Sequence, residues 1–206
     1  MQQRNQLIVG SLIAIVAGIA VAWAAAQWVN STNPTTTPLV QFSQSILPEG
    51  GDFTVSSVQG DIRLSDFKGK VVLLYFGYTS CPDVCPTSMG TIKGALSLLT
   101  PAQLSQVQGL FISVDPERDK LEQINNYAQY FNANIRGASS QPENLEKIAR
   151  QYGAFFRKVP MPESALGYMM DHTSTIYVLD KESKVQKMIE HAAPPAELAE
   201  AIKSLL

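Results

Sequence analysis

The apolar residues of this chain fall into two regimes. From Leu7 to Ala26, twenty consecutive residues carry no charge and almost no polar group, a length that spans a hydrocarbon core as a helix. Beyond it, apolar runs are short and punctuated by turn residues. Residues 27–47 read as a linker: Asn30 to Leu47 is polar, Pro-containing and turn-rich. Phe53-Thr54-Val55 and Asp61-Ile62-Arg63-Leu64 flank Gly60 as a hairpin would. Val71 to Phe76 is continuously apolar, not alternating, which predicts a central strand covered on both faces. A helical pattern follows from about Val84 to Leu99. Leu110 to Val114 predicts a strand, and Asp119 with Glu122 has the spacing of a capping box that opens a helix to about Phe131. Ile135 to Ala138 is a short strand, and Pro142 and Glu143 begin a helix that stops at Tyr152, before Gly153. Phe155 to Val159 is a strand candidate, Tyr168 to His172 a loop or strand edge, and the stretch from Phe156 to Tyr168, without a clear period, reads as a mobile loop. Thr173 to Leu179 and Val185 to Ile189 form a final hairpin around Asp180–Lys184, and Pro194-Pro195 open a last helix, Ala196 to Leu205.

A βαβ unit followed by a β-hairpin and a helix is the order of a thioredoxin-like α/β fold, with a central mixed sheet flanked by helices; residues 48–206 are assigned to it. In that arrangement Thr173–Leu179 runs antiparallel beside Val71–Phe76, so the start of one strand lies beside the end of the other. His172 then stands at the sheet edge where Cys81 and Cys85 emerge. Ligands of open α/β sheets bind at the carboxyl ends of such strands. If the segment Cys81–Cys85 is helical, its two thiols share a face with Cβ atoms roughly 5–6 Å apart, and a helix N-terminus favours the thiolate. Two close thiolates can share a soft metal ion or oxidise to a disulfide, and the spacing permits both. Asp115 ends the strand after the cysteine helix, on the same sheet edge, where it would tune the site electrostatically, help in docking, or belong only to the loop and helix start of Pro116 to Asp119. Asp171 precedes His172.

Charge and compartment narrow the reading. Sixteen basic residues stand against eighteen acidic ones, which excludes the basic surface a nucleic-acid binder needs to displace counterions. Arg4 precedes the apolar stretch and the next basic residue after it is Arg63. The positive-inside rule then assigns residues 1–6 to a cytoplasmic tail, residues 7–26 to a single transmembrane helix, and the rest to the far side, with Trp23 and Trp28 at the outer interface. Ala24-Ala25-Ala26 also fits a signal-peptide cut, but the apolar stretch exceeds the usual ~7–15-residue signal core. No Arg-rich transit sequence precedes it, so the expected site is a bacterial inner membrane with the domain in the periplasm. Disulfides persist there. The loop closed by Cys81 and Cys85 is too small to staple a fold usefully, so the pair reads as chemistry.

Three separated motifs carry a resemblance: Gly77-Tyr78-Thr79-Ser80-Cys81-Pro82-Asp83-Val84-Cys85-Pro86, Ser113-Val114-Asp115-Pro116-Glu117-Arg118-Asp119, and Asp171-His172. In these, and in its N-terminal anchor, the chain resembles the Sco/SenC family of copper proteins from about Phe53 to Leu206. The resemblance implies a thioredoxin-like fold and copper held by Cys81, Cys85 and His172. It also implies a part in assembling the dinuclear copper centre of cytochrome c oxidase, whose copper subunit would be the partner. Two thiolates and an imidazole suit Cu(I), and with further ligation Cu(II); a structural zinc site wants a fourth Cys or His, which is not in sight. Asp171 is expected to orient His172 or to face solvent. His191 is expected at the surface. Met161, Met169 and Met170 read as gap-fillers and contacts before thioether ligands. Tyr75, Phe76 and Tyr78 read as core and rim packing.

The leading reading is a membrane-anchored copper metallochaperone, not a turnover enzyme, with a copper donor and a thiol reductant implied. The alternative is a thiol–disulfide oxidoreductase that keeps the oxidase cysteines reduced, with Cys81 and Cys85 as its redox pair; three residues between the cysteines, not two, depart from the usual redox motif. A thiol peroxidase is disfavoured because Pro82 occupies the position, three before Cys85, where peroxiredoxins place threonine.

Overall fold

The computed structural model describes Ala20, residues 23–28 and residues 47–206. Most of the apolar stretch 7–26 and of the linker 27–47 lies outside them; residues 23–28 are helical, with Trp23 and Trp28 exposed. Among the described residues no helix is long and apolar enough to cross a membrane.

The domain is built on β3 (Val71–Gly77), preceded by the hairpin β1 (Thr54–Ser57) and β2 (Gly60–Arg63) and a 3₁₀ turn, Leu64–Phe67. After β3 come α1 (Val84–Ser97), the one-turn α2 (Pro101–Leu104), β4 (Val107–Ser113), α3 (Leu121–Phe131), β5 (Ile135–Ala138) and α4 (Pro142–Gln151). The last third holds β6 (Phe156–Met161), β7 (Gly167–His172), β8 (Ile176–Leu179), β9 (Val185–Ile189) and α5 (Pro195–Lys203). The main sheet has five strands in the order β5-β4-β3-β8-β9. β3 and β4 run parallel, as do β4 and β5, while β8 is antiparallel to both β3 and β9.

The unbroken apolar run of β3 has its physical reason here. Val71, Val72, Leu73, Leu74 and Tyr75 are each 0 % exposed, as a strand with covered faces on both sides must be. The four residues of β8 are equally buried. The predicted antiparallel neighbour is present in register, Tyr75 opposite Ile176 and Val72 opposite Leu179. Helix α1 lies against α5, where Gly94 lets Pro195 approach so closely that a Cβ would stand 2.8 Å from its ring carbons.

Three expectations are corrected. Helix α3 begins at Leu121 with Lys120 as its N-cap, not at an Asp119–Glu122 box. The Asp119 carboxylate is taken elsewhere: it accepts from the Thr79 N–H (2.8 Å), the Thr79 hydroxyl (2.6 Å) and the Ser113 hydroxyl (2.5 Å). The segment from Phe156 to Tyr168, also read as a mobile loop, is ordered: the strand candidate Phe155–Val159 is borne out as β6, which runs on to Met161, and the segment ends in the start of β7; the two strands pair along their full length as a separate two-stranded ribbon. Finally, the β-rich run from Thr173 enters the sheet only at Ile176, and His172 ends the ribbon strand β7.

Candidate metal centre

The chain leaves β3 at Gly77, turns through Tyr78 to Asp83 and enters α1 at Val84. Cys85 lies in the first turn of the helix, whereas Cys81 lies in the turn before it, so the two do not share a helical face as their spacing suggested. Their relation is tighter than that. The first N–H groups of a helix lack intrahelical partners, and the Asp83 side chain does not cap this one. The Cys81 sulfur does: it accepts the Cys85 backbone N–H at 3.3 Å. Cys85 is fully buried and Cys81 is 9 % exposed, and neither is in a disulfide. Gly77 is required for this packing. A Cβ there would meet Phe111 at 2.8 Å and both the Cys85 sulfur and Tyr75 at 3.0 Å.

His172 arrives from the other side of the sequence, at the end of β7. Its Nε2 stands 3.3 Å from Cys85 Sγ, and its Nδ1 lies 3.0 Å from the Thr173 carbonyl. A carbonyl only accepts, so Nδ1 carries a proton and Nε2 is turned towards the thiols. The ring is wedged edge-on between Tyr78 (centroids 5.6 Å apart) and Tyr75 (6.3 Å). Both tyrosines are buried, which agrees with the packing role read from the sequence. One ligand atom each from Cys81, Cys85 and His172 lies within 4.8 Å of the others.

The thiols divide their protons unequally. Cys81 is held well below the ordinary thiol range, first by the hydrogen bond from Cys85; burial opposes this, and the His172 ring and the N–H groups of Cys85 and Asp83 add to it. Cys85 is pushed up, first because it donates to Cys81 and then by burial and by repulsion from the Cys81 charge. Cys81 is therefore the thiolate and Cys85 keeps the shared proton, facing both Cys81 and His172 Nε2. Two sulfurs and an imidazole nitrogen in mutual reach form a donor set for a soft or borderline cation.

The other residues singled out in the sequence take different places. Asp171 does not orient His172. Neighbours on a strand face opposite ways, and its carboxylate turns outward to pair with Arg157 across the ribbon at 2.8 and 2.9 Å; the group that orients the ring is the Thr173 carbonyl. Asp115 is buried, accepting from Arg118 Nε at 2.6 Å and from the Tyr168 hydroxyl at 2.8 Å, so its link to the site runs through the ribbon. His191 is exposed and bonds the buried Ser88 at 3.2 Å. Met170 is a core residue, 8 % exposed.

Fold and site together define a thioredoxin-like domain with a Cys–Cys–His donor cluster at the carboxyl end of its central strand. The profile of the SCO1/SenC family matches residues 43–206. The chain belongs to that family. The solution structure of apo Sco1 from Thermus thermophilus is similar to it at 37 % identity and a TM-score of 0.71, covering 80 % of this chain and 95 % of that one. ScoI from Bradyrhizobium japonicum, whose structure has copper bound, is 35 % identical with a TM-score of 0.68, covering 76 % of this chain and 99 % of its own. BsSco, described with a disulfide switch and as a member of a family of cytochrome c oxidase assembly proteins, is 25 % identical with a TM-score of 0.61, covering 80 % and 97 %.

Proposed function

We propose that this chain is a copper metallochaperone for cytochrome c oxidase. Cys81, Cys85 and His172 hold one copper ion as cargo and pass it to the copper subunit of the oxidase. The observation that carries the reading is the convergence of two unoxidised sulfurs and an imidazole nitrogen within 4.8 Å; the copper bound by the Bradyrhizobium relative supports the identity of the ion. Release follows by ligand exchange, a partner's thiolates entering as Cys81 and Cys85 leave in turn. Cys81 is the better placed to leave first because it sits at the surface end of the pair. Loading needs both thiols reduced, so a thiol reductant and a copper donor act upstream. Residues 7–26 tether the domain to a bacterial inner membrane, residues 27–47 hold it off the surface, and residues 48–206 work in the periplasm.

A second reading is favoured by one observation, the unequal thiols. A thiolate at Cys81 with a protonated, buried Cys85 behind it is the arrangement of an attacking and a resolving cysteine. In that role the Cys81 thiolate attacks a disulfide of the client, Cys85 resolves the mixed disulfide to leave a Cys81–Cys85 disulfide, and the client cysteines receive two electrons, the Cys85 proton and one proton from solvent. One experiment separates the two. The domain is mixed with the soluble copper-binding domain of the oxidase, in one arm copper-loaded against reduced client, in the other copper-free and reduced against oxidised client. Copper transfer in the first arm without thiol release in the second supports the chaperone; reduction of the client without copper transfer supports the oxidoreductase.

A further inference from the structure

The β6–β7 ribbon carries His172 but shares no strand pairing with the main sheet. A two-stranded hairpin by itself is marginal in water, so side chains must hold it in place. Along β7, Tyr168, Met170 and His172 alternate onto the inward face. Met170 enters the core. Tyr168 meets the loop after β4, and Arg118 is at the centre of that contact. Its guanidinium stacks on the Tyr168 ring, 3.7 Å from the centroid. Its Nη1 donates to the Tyr168 carbonyl at 2.9 Å and to the Leu166 carbonyl at 3.3 Å. Its Nε is fixed by the buried Asp115, which also receives the Tyr168 hydroxyl. The Tyr78 ring, which also abuts His172, has its centroid 5.7 Å from the guanidinium.

We propose that Arg118 is a positioning residue for the metal site: with Asp115 and Tyr168 it latches the ribbon to the loop after β4 and so fixes His172 against the two thiols. This rests on His172 acting as a ligand with Cys81 and Cys85. The latch acts at a distance of four residues along β7, by keeping the fraction of molecules with the imidazole in place near one; apparent affinity falls by whatever fraction is lost. Lysine cannot replace the fork, since it offers neither the flat stack nor two donors on adjacent carbonyls while bonding Asp115. The outer pair Lys158–Glu117, at 2.6 Å but exposed, contributes little.

The test is a mutant cycle read with copper alone. Cu(I) affinity is measured by competition with a chromophoric chelator for the wild type, Arg118→Lys, His172→Ala and the double variant, with Tyr168→Phe as a milder change and Glu117→Gln as a control. Backbone hydrogen exchange is followed in the same proteins without copper. The latch predicts a loss of about tenfold in Arg118→Lys, no further loss when Arg118→Lys is added to His172→Ala, a smaller loss in Tyr168→Phe and none in Glu117→Gln. It predicts faster exchange in residues 167–172 with residues 72–76 unchanged. Equal losses from Arg118→Lys with and without His172, or unchanged affinity and unchanged ribbon exchange, would overturn it. A wild type that binds no copper contradicts the metal reading instead, and the exchange arm then decides the latch.

Discussion

Gly77 and the two thiols carry the tightest constraints at the scale of single residues. A methyl group at Gly77 has nowhere to go between Cys85, Tyr75 and Phe111. Gly77→Ala is expected to cost about 1–3 kcal/mol as an overpacked core site and to displace Cys85; chemical denaturation of the copper-free domain checks the first part and copper titration the second. The thiols give a pH prediction. A group with a lowered pKa keeps its anion as pH falls, so iodoacetamide should modify Cys81 at a nearly constant rate from pH 8 down to 6. An ordinary thiol, with a pKa of about 8.5, slows about tenfold per unit over that range. Peptide mapping should find Cys85 unmodified throughout. Parallel slowing of both cysteines would contradict the assignment of the thiolate to Cys81. The cysteines were plain in the sequence because an isolated pair after an apolar strand admits few readings. Asp119 was not, since a carboxylate two residues before a helix looks like a cap whether or not a strand end has claimed it. For Asp171 the sequence left two roles open, orienting His172 or facing solvent, and strand alternation decides for the second.

At the scale of elements, strands buried in the sheet were legible and the exposed ribbon was so only in part: Phe155–Val159 and Tyr168–His172 read as a strand candidate and a loop or strand edge, without their pairing. β3 and β8 announce themselves by apolar runs, because both of their faces are covered. β6, Phe-Arg-Lys-Val-Pro-Met, is half exposed and contains a proline, so no hydrophobic period marks it; its partner β7 is what makes it a strand. The same lack of burial leaves the ribbon dependent on its contacts with the loop after β4. That loop is itself held by Asp119, whose carboxylate joins Thr79 of the cysteine turn to Ser113 at the end of β4. Asp119→Ala leaves three donors without their acceptor, two of them hydroxyls that can turn elsewhere. We expect a loss of about 2–4 kcal/mol, measurable as a lowered denaturation midpoint, and a slower uptake of copper because the cysteine turn loosens. A midpoint within error of the wild type would show that water replaces the carboxylate.

At the scale of the whole domain, the order of strands was the informative quantity. His172 is 87 residues from Cys85; the antiparallel placement of β8 beside β3, with the ribbon strand that precedes β8, brings it near, and apart from the Asp171-His172 motif nothing local in the sequence singles it out from His191. The tyrosines also have a titration of their own. Burial pushes Tyr78, Tyr168 and Tyr177 up to about 12 and drives Tyr75, Tyr127 and Tyr152 higher still. The folded state thus holds protons that the unfolded chain, with tyrosines near 10, releases. Their contribution to stability is complete below about pH 10 and is lost as pH rises towards 12. Tyrosinate absorbance should therefore rise mainly in one step that coincides with loss of the far-ultraviolet circular dichroism; full ionisation near pH 10 with the fold retained would contradict the buried placement of Tyr75, Tyr78, Tyr152 and Tyr177.

The central claim is that two sulfurs and one imidazole form a single copper site. X-ray absorption at the copper edge of the Cu(I)-loaded domain tests it most directly, with the wild type beside His172→Ala and with the copper-to-protein ratio measured on the same samples. The account predicts one copper per domain, with two sulfur scatterers and one imidazole nitrogen in the wild type and loss of the nitrogen contribution alone in the variant. A wild-type ion with two sulfurs and no nitrogen, or an imidazole signal that survives His172→Ala, would contradict it.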